Sequence, residues 1–179
     1  MNTLKKTTLL TVVCFLSLAF SGCGPRVVNL QPAEDAANPV CAYAMVAMPE
    51  TLGGFDQRET TAQGTTAWGE PTVAVLKCGV SLPTAPIADP CASVNGIDWI
   101  IKPADEQMAE SGEQSATGTW VAETFGRTPA IQITFDADQV SSSTLLAEIA
   151  SAVGQIPQQQ ECTNIDDTLS DIETAESSA

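Results

Sequence analysis

Cysteine supplies most of what could react in this chain. Six cysteines stand at positions 14, 23, 41, 78, 91 and 162, and histidine is absent altogether. Without histidine there is no Ser-His or Cys-His nucleophile pair and no imidazole-ligated metal site. No Cys-x-x-Cys spacing occurs, which argues against a zinc ribbon or a dithiol redox centre. Cys41, Cys78, Cys91 and Cys162 therefore read as an even set forming two disulfides in an oxidising compartment. Of the three possible pairings, Cys41–Cys78 with Cys91–Cys162 is preferred. The first would clamp an early helix to a strand, and the second would tie down the C-terminal end. Such a bridge contributes roughly 2–4 kcal/mol, mainly by restricting the unfolded chain.

Cys14 and Cys23 belong to a different context. Lys5 and Lys6 precede an uncharged apolar run over 7–20, and Ser21 and Gly22 lead into Cys23. That order is the pattern of an export signal. The run is shorter than the roughly 20 residues of a membrane span. Phe20-Ser21-Gly22-Cys23 resembles a bacterial lipoprotein box, with Phe20 where Leu, Val or Ile is usual. The expectation is a signal over 1–22 and a diacylglyceryl group on the Cys23 thiol, which anchors the chain to the membrane.

The charged residues carry weaker signals. Acids number 22 against 7 bases, a net charge of −15. That balance excludes nucleic acid as a partner and repels anionic lipid head groups, so the body is expected to stand off the bilayer. Asp136 and Asp138 form a carboxylate pair, but the further ligands of a calcium loop do not follow, and capping a helix start is the simpler role. A paired acid and base could cleave a glycoside, though no two carboxylates are singled out. Trp68, Trp99 and Trp120 lie in or beside strand-like runs, which favours packing over stacking on sugars. Met45 and Met48 read as core fillers. Arg58, Lys77, Lys102 and Arg127 are the bases of the folded part. Each is expected to find a carboxylate, Arg127 in Glu123 or Asp98. The alternative is that Arg127, at a turn, captures an anionic group of a wall polymer or partner. No phosphate cradle, nucleophile elbow, metal cluster or cofactor fingerprint appears.

The elements that would position these groups follow from pattern and punctuation. Positions 23–37 lack a clear period and read as a tether from Cys23. Asn38-Pro39 opens a helix with Cys41, Ala44, Met45 and Met48 on one side, closed by Pro49. Short strands are expected over 55–60 and 65–68. Positions 72–80 are nearly all apolar, which suggests a central strand or burial on both faces. Positions 81–90 form a proline-rich loop. Asn95-Gly96 predicts a hairpin between 92–94 and 97–102, with Ile97, Trp99 and Ile101 on one face and Asp98 and Lys102 on the other. Positions 103–118 read as a surface excursion and 119–125 as a strand. Ile131, Ile133 and Phe135 alternate with polar residues, a strand with one wet face. Ser141 to Ser143 cap a helix bearing Leu145, Ile149 and Val153. Positions 163–179 are acidic and poor in large apolar groups, a disordered tail. The fold class is α+β: a mostly antiparallel sheet with an early and a late helix packed on one face, one domain over 38–162, and two disulfides.

Several pieces together resemble an uncharacterised exported family of actinobacteria, domain of unknown function 3515. They are Cys41 with its Ala-rich helix ending at Pro49, Ala67-Trp68-Gly69, Lys77-Cys78-Gly79-Val80, Val94-Asn95-Gly96-Ile97-Asp98-Trp99 and Gly126-Arg127-Thr128-Pro129. The resemblance implies a secreted or membrane-anchored protein without an assigned activity, and it supports the Cys41–Cys78 pair. The expected function is that of a lipid-anchored, non-catalytic binding or accessory module on the outer face of the plasma membrane. Its expected partner is an envelope protein or wall polymer, with no cofactor and no nucleic acid. The alternatives are a carboxylate-dependent hydrolase of wall carbohydrate, or a lipoprotein that binds a small solute or cation.

Overall fold

A computed structural model describes residues 27–81, 91–105 and 117–162. The expected signal, Cys23, most of the 81–90 and 103–118 connections and the acidic tail lie outside these residues. Among the described residues there are two helices and eight strands. Helix α1 is Pro39–Val46 and helix α2 is Ser142–Val153. Strands β1 to β4 are Thr51–Leu52, Phe55–Arg58, Thr65–Trp68 and Ala74–Val80. Strands β5 to β8 are Cys91–Val94, Ile97–Pro103, Thr119–Thr124 and Ala130–Asp136.

The strands form one antiparallel sheet in the order β1-β2-β3-β4-β8-β7-β6-β5. Two four-stranded meanders thus meet at their last strands, and the β4–β8 seam lies at the centre of the sheet. Local chemistry supplies the tight corners. Asn95 and Gly96 have φ of 49° and 76°, and Val94 faces Ile97 across the turn. Positive φ at both central residues matches the twist of the flanking strands, which is why this dipeptide makes a hairpin. Gly53 and Gly54 do the same between Leu52 and Phe55.

One face of the sheet is covered by both helices, as expected. Leu76, Ile133, Ala122 and Ile101 form one cross-strand row on that face, and Cys78, Ile131 and Trp99 point the same way. They pack against Cys41, Ala44 and Met48 of the first helix and its following turn, and against Leu145, Leu146, Ile149 and Val153 of α2. Trp68 and Trp99 are fully buried in this core, while Trp120 is half-buried. The Asn38 side chain caps α1 by accepting from the Val40 N–H at 3.0 Å, and Ser141 caps α2 by accepting from Thr144 at 3.3 Å. Helix α1 contains no charged residue, yet its outer side is bare: Tyr43 is 67% and Val46 88% exposed.

Two expectations take a different form. The apolar run at 72–80 is central, but it is not buried on both faces: Val75 and Lys77 are half-buried and face away from the helices. The expected tether enters the described structure at Val27 and is bonded to the body from Val28 onward. Val28 donates to the Glu59 carbonyl at 2.9 Å, and Asp35 donates to the Gly79 carbonyl at 3.0 Å. Gly79 sits at a register shift in β4 with φ of 92°, where a side chain would run into the Asp35 backbone. Glycine is what lets the two chains approach.

Candidate functional site

Among the described residues no helix lies over the second face of the sheet, and β-strand alternation assigns its residues. Row by row, Ile100, Glu123, Gln132, Lys77 and Thr65 are neighbours across β6, β7, β8, β4 and β3. The next row holds Lys102, Val121, Thr134, Val75, Ala67 and Arg58. All four bases of the folded part lie on this face or at its end. The Lys102 ammonium donates to Glu123 Oε2 at 3.1 Å, and the Gln132 amide donates to Glu123 Oε1 at 2.7 Å. Arg58 Nη1 donates to the Gly69 carbonyl at 3.1 Å, and its Nη2 lies 3.8 Å from Glu70. Beside this row is a shallow groove of about 230 Å³, bordered by Thr72, Thr119, Thr134 and Asp136 above Val73 and Val75.

Arg127 lies at the other end of the same face, only 8% exposed. Burial pushes its guanidinium below the usual arginine range, and the Asp98 carboxylate pulls in the opposite direction. Its hydrogen bonds go to the Ile156 carbonyl and, at 2.9 Å, to Gln158 Oε1. The Gln158 amide in turn donates to Asp98 Oδ2 at 2.9 Å, and the Cys162 N–H donates to the same oxygen at 2.8 Å. Asp98, on the face opposite Ile97 and Trp99 as expected, is buried at 6% exposure beneath the strap formed by residues 157–162. Of the two carboxylates expected for Arg127, Asp98 supplies the field, whereas Glu123 is engaged by Lys102 and Gln132. What the sequence did not disclose is Gln158, the link between Arg127 and Asp98; a lone glutamine in a glutamine-rich run carries no signal.

The strap is held from both sides. Gln159 and Gln160 donate to the Gly126 carbonyl at 2.7 and 3.3 Å. Cys162 is joined to Cys91 on the edge strand, with Cα atoms 5.9 Å apart. The other bridge, Cys41–Cys78, ties α1 to β4 in the core with Cα atoms 5.8 Å apart. Both pairings are the expected ones.

The carboxylates near the helix start behave as local structure. Asp136 Oδ1 accepts from the Asp138 N–H at 2.9 Å, and Asp138 Oδ2 accepts from the Gly118 N–H at 3.2 Å. Among the described residues no three metal-ligating side chains gather, and no helix is long and apolar enough to cross a membrane. The site can therefore offer hydrogen bonds and ion pairs over a shallow, small-residue floor.

No curated protein and no solved structure matches the chain. A family profile described as "Protein of unknown function (DUF3515)" matches residues 6–162, which is most of the sequence. The chain belongs to that family.

Proposed function

We propose that the protein is a lipid-anchored binding module of the actinobacterial cell envelope. It is moored through Cys23 to the outer face of the plasma membrane and catalyses no reaction. The observation that carries this reading is the sheet face that the described helices leave uncovered, where a polar, half-buried surface collects the bases of an otherwise acidic body. Two disulfides closed within the fold support an oxidising compartment. An anchor at Cys23 would hold the body close to the bilayer. Val28 is already bonded to the domain, and five extended residues reach at most about 18 Å.

A wall-carbohydrate hydrolase needs two carboxylates facing each other across a substrate cleft. The acid bordering the described groove is Asp136 alone, and one of its oxygens is taken by a backbone N–H, so binding is the better-supported reading. The test places a photo-crosslinking residue at Val75 or Thr134 in cells, with Tyr43 on α1 as the control site. Crosslinks to an envelope component from the sheet face, and none from Tyr43, are expected. Products from Tyr43 alone would assign recognition to the helix and refute the reading.

A further inference from the structure

The two disulfides lie in opposite surroundings. Cys41 and Cys78 are 1% and 0% exposed, packed in the core between α1 and β4. Cys91 and Cys162 are both half-buried, and they join the edge strand β5 to the end of the strap. A thiol must reach a sulfur to exchange with it, so access alone already separates the two bridges.

What each bridge keeps covered differs as well. Parting Cys41 from Cys78 opens the apolar core, which water resists. The strap over 157–162 covers charge instead: Asp98 is 6% exposed and Arg127 8%. Asp98 depends on the strap for the donors of Gln158 and Cys162, and the Nε of Arg127 has no hydrogen-bond partner among the described residues. Lifting the strap returns a carboxylate and a guanidinium to water, which solvates both. The strap has little else to hold it down. Pro157, Gln159, Gln160 and Glu161 are exposed, so no large apolar side chain of the strap is buried. It is attached by hydrogen bonds to Asp98, Arg127 and the Gly126 carbonyl. Each such bond replaces one with water and contributes no more than it costs to order a residue, which leaves the strap dependent on its cross-link.

We propose that Cys91–Cys162 is a reducible latch: an external dithiol opens it while Cys41–Cys78 and the domain stay closed, and the freed strap uncovers Asp98 and Arg127. One thiolate of the dithiol attacks a sulfur of the bridge to form a mixed disulfide, and its second thiol then displaces the dithiol's own sulfur from the protein. Two hydrogens pass to Cys91 and Cys162, which become thiols, and the dithiol leaves as a disulfide. The acidic body, with a net charge of −15, favours a neutral or basic dithiol over an anionic thiol. Uncovering this end of the sheet face changes what it offers a partner. That consequence rests on the function proposed above; the latch rests on burial and hydrogen bonding alone.

The test is graded reduction of the full-length, disulfide-intact protein with dithiothreitol, without denaturant, followed by alkylation and peptide mapping. Alkylation of Cys91 and Cys162 should run about tenfold or more ahead of that of Cys41 and Cys78. The species alkylated only at Cys91 and Cys162 is then isolated. Its amide exchange over 157–162 should be about tenfold faster than in the intact protein, while 131–135 keeps its protection. Alkylation of all four cysteines together, or of none before the domain unfolds, would overturn the proposal. Unchanged protection over 157–162 in the isolated species would overturn it too, because the strap would then hold without the bridge. Neither readout involves an external partner, so failure here leaves the photo-crosslinking result to judge partner binding.

Discussion

Asp98 accepts from both the Gln158 amide and the Cys162 backbone and lies in the field of the Arg127 guanidinium, so its loss acts on three groups at once. Asp98→Ala is expected to cost about 3 kcal/mol, because it strands buried donors and a buried cation together. Denaturant unfolding measures the loss, and faster amide exchange over 156–162 shows that the strap has loosened. Arg127→Ala should destabilise in the same region, since the Ile156 carbonyl and Gln158 lose their donor. Unchanged stability with lost ligand binding would restore the alternative of an anion-capturing arginine. Glycines give a sharper contrast. Gly79→Ala forces a side chain into the Asp35 backbone at positive φ and should cost more than about 2 kcal/mol. Gly96→Ala, also at positive φ but in open space, should cost about 1 kcal/mol.

At the level of elements, the two bridges close loops of different kinds. Their sequence separations are 37 and 71 residues, and the chain-entropy relation assigns each roughly 4 kcal/mol. Replacing Cys41 and Cys78 with alanine should lower the melting of the whole domain, because their sulfurs lie in the core between α1 and β4. Replacing Cys91 and Cys162 with serine should act first on the strap, with amide exchange rising over 157–162 before global unfolding.

The elements themselves were legible where pattern and punctuation agreed. Asn38-Pro39, Asn95-Gly96 and the alternation of Ile131, Ile133 and Phe135 each name a cap, a turn and a wet-faced strand. The open face was not legible as a unit. Arg58, Lys77, Lys102 and Arg127 are scattered over 70 positions, and only the joining of two meanders at β4–β8 brings them to one side. Alternation put Asp98 on the face opposite Ile97 and Trp99, as found, but could not show that a strap 60 residues later covers it.

On the scale of the molecule, both described helices lie on one side of the sheet, and the proposed recognition belongs to the other side. The proposed anchor at Cys23 would decide where that happens. Fatty-acid analogues should label the protein in its native cells, and Cys23→Ala should abolish labelling and membrane retention while leaving the fold intact. The central claim is compartment, and intact mass spectrometry of protein purified from those cells tests it most directly. The predicted species begins at Cys23, carries a diacylglyceryl modification, and is four hydrogens lighter than its reduced form because of two disulfides. A chain still beginning at Met1, unlipidated and with its six thiols reduced, would contradict the account.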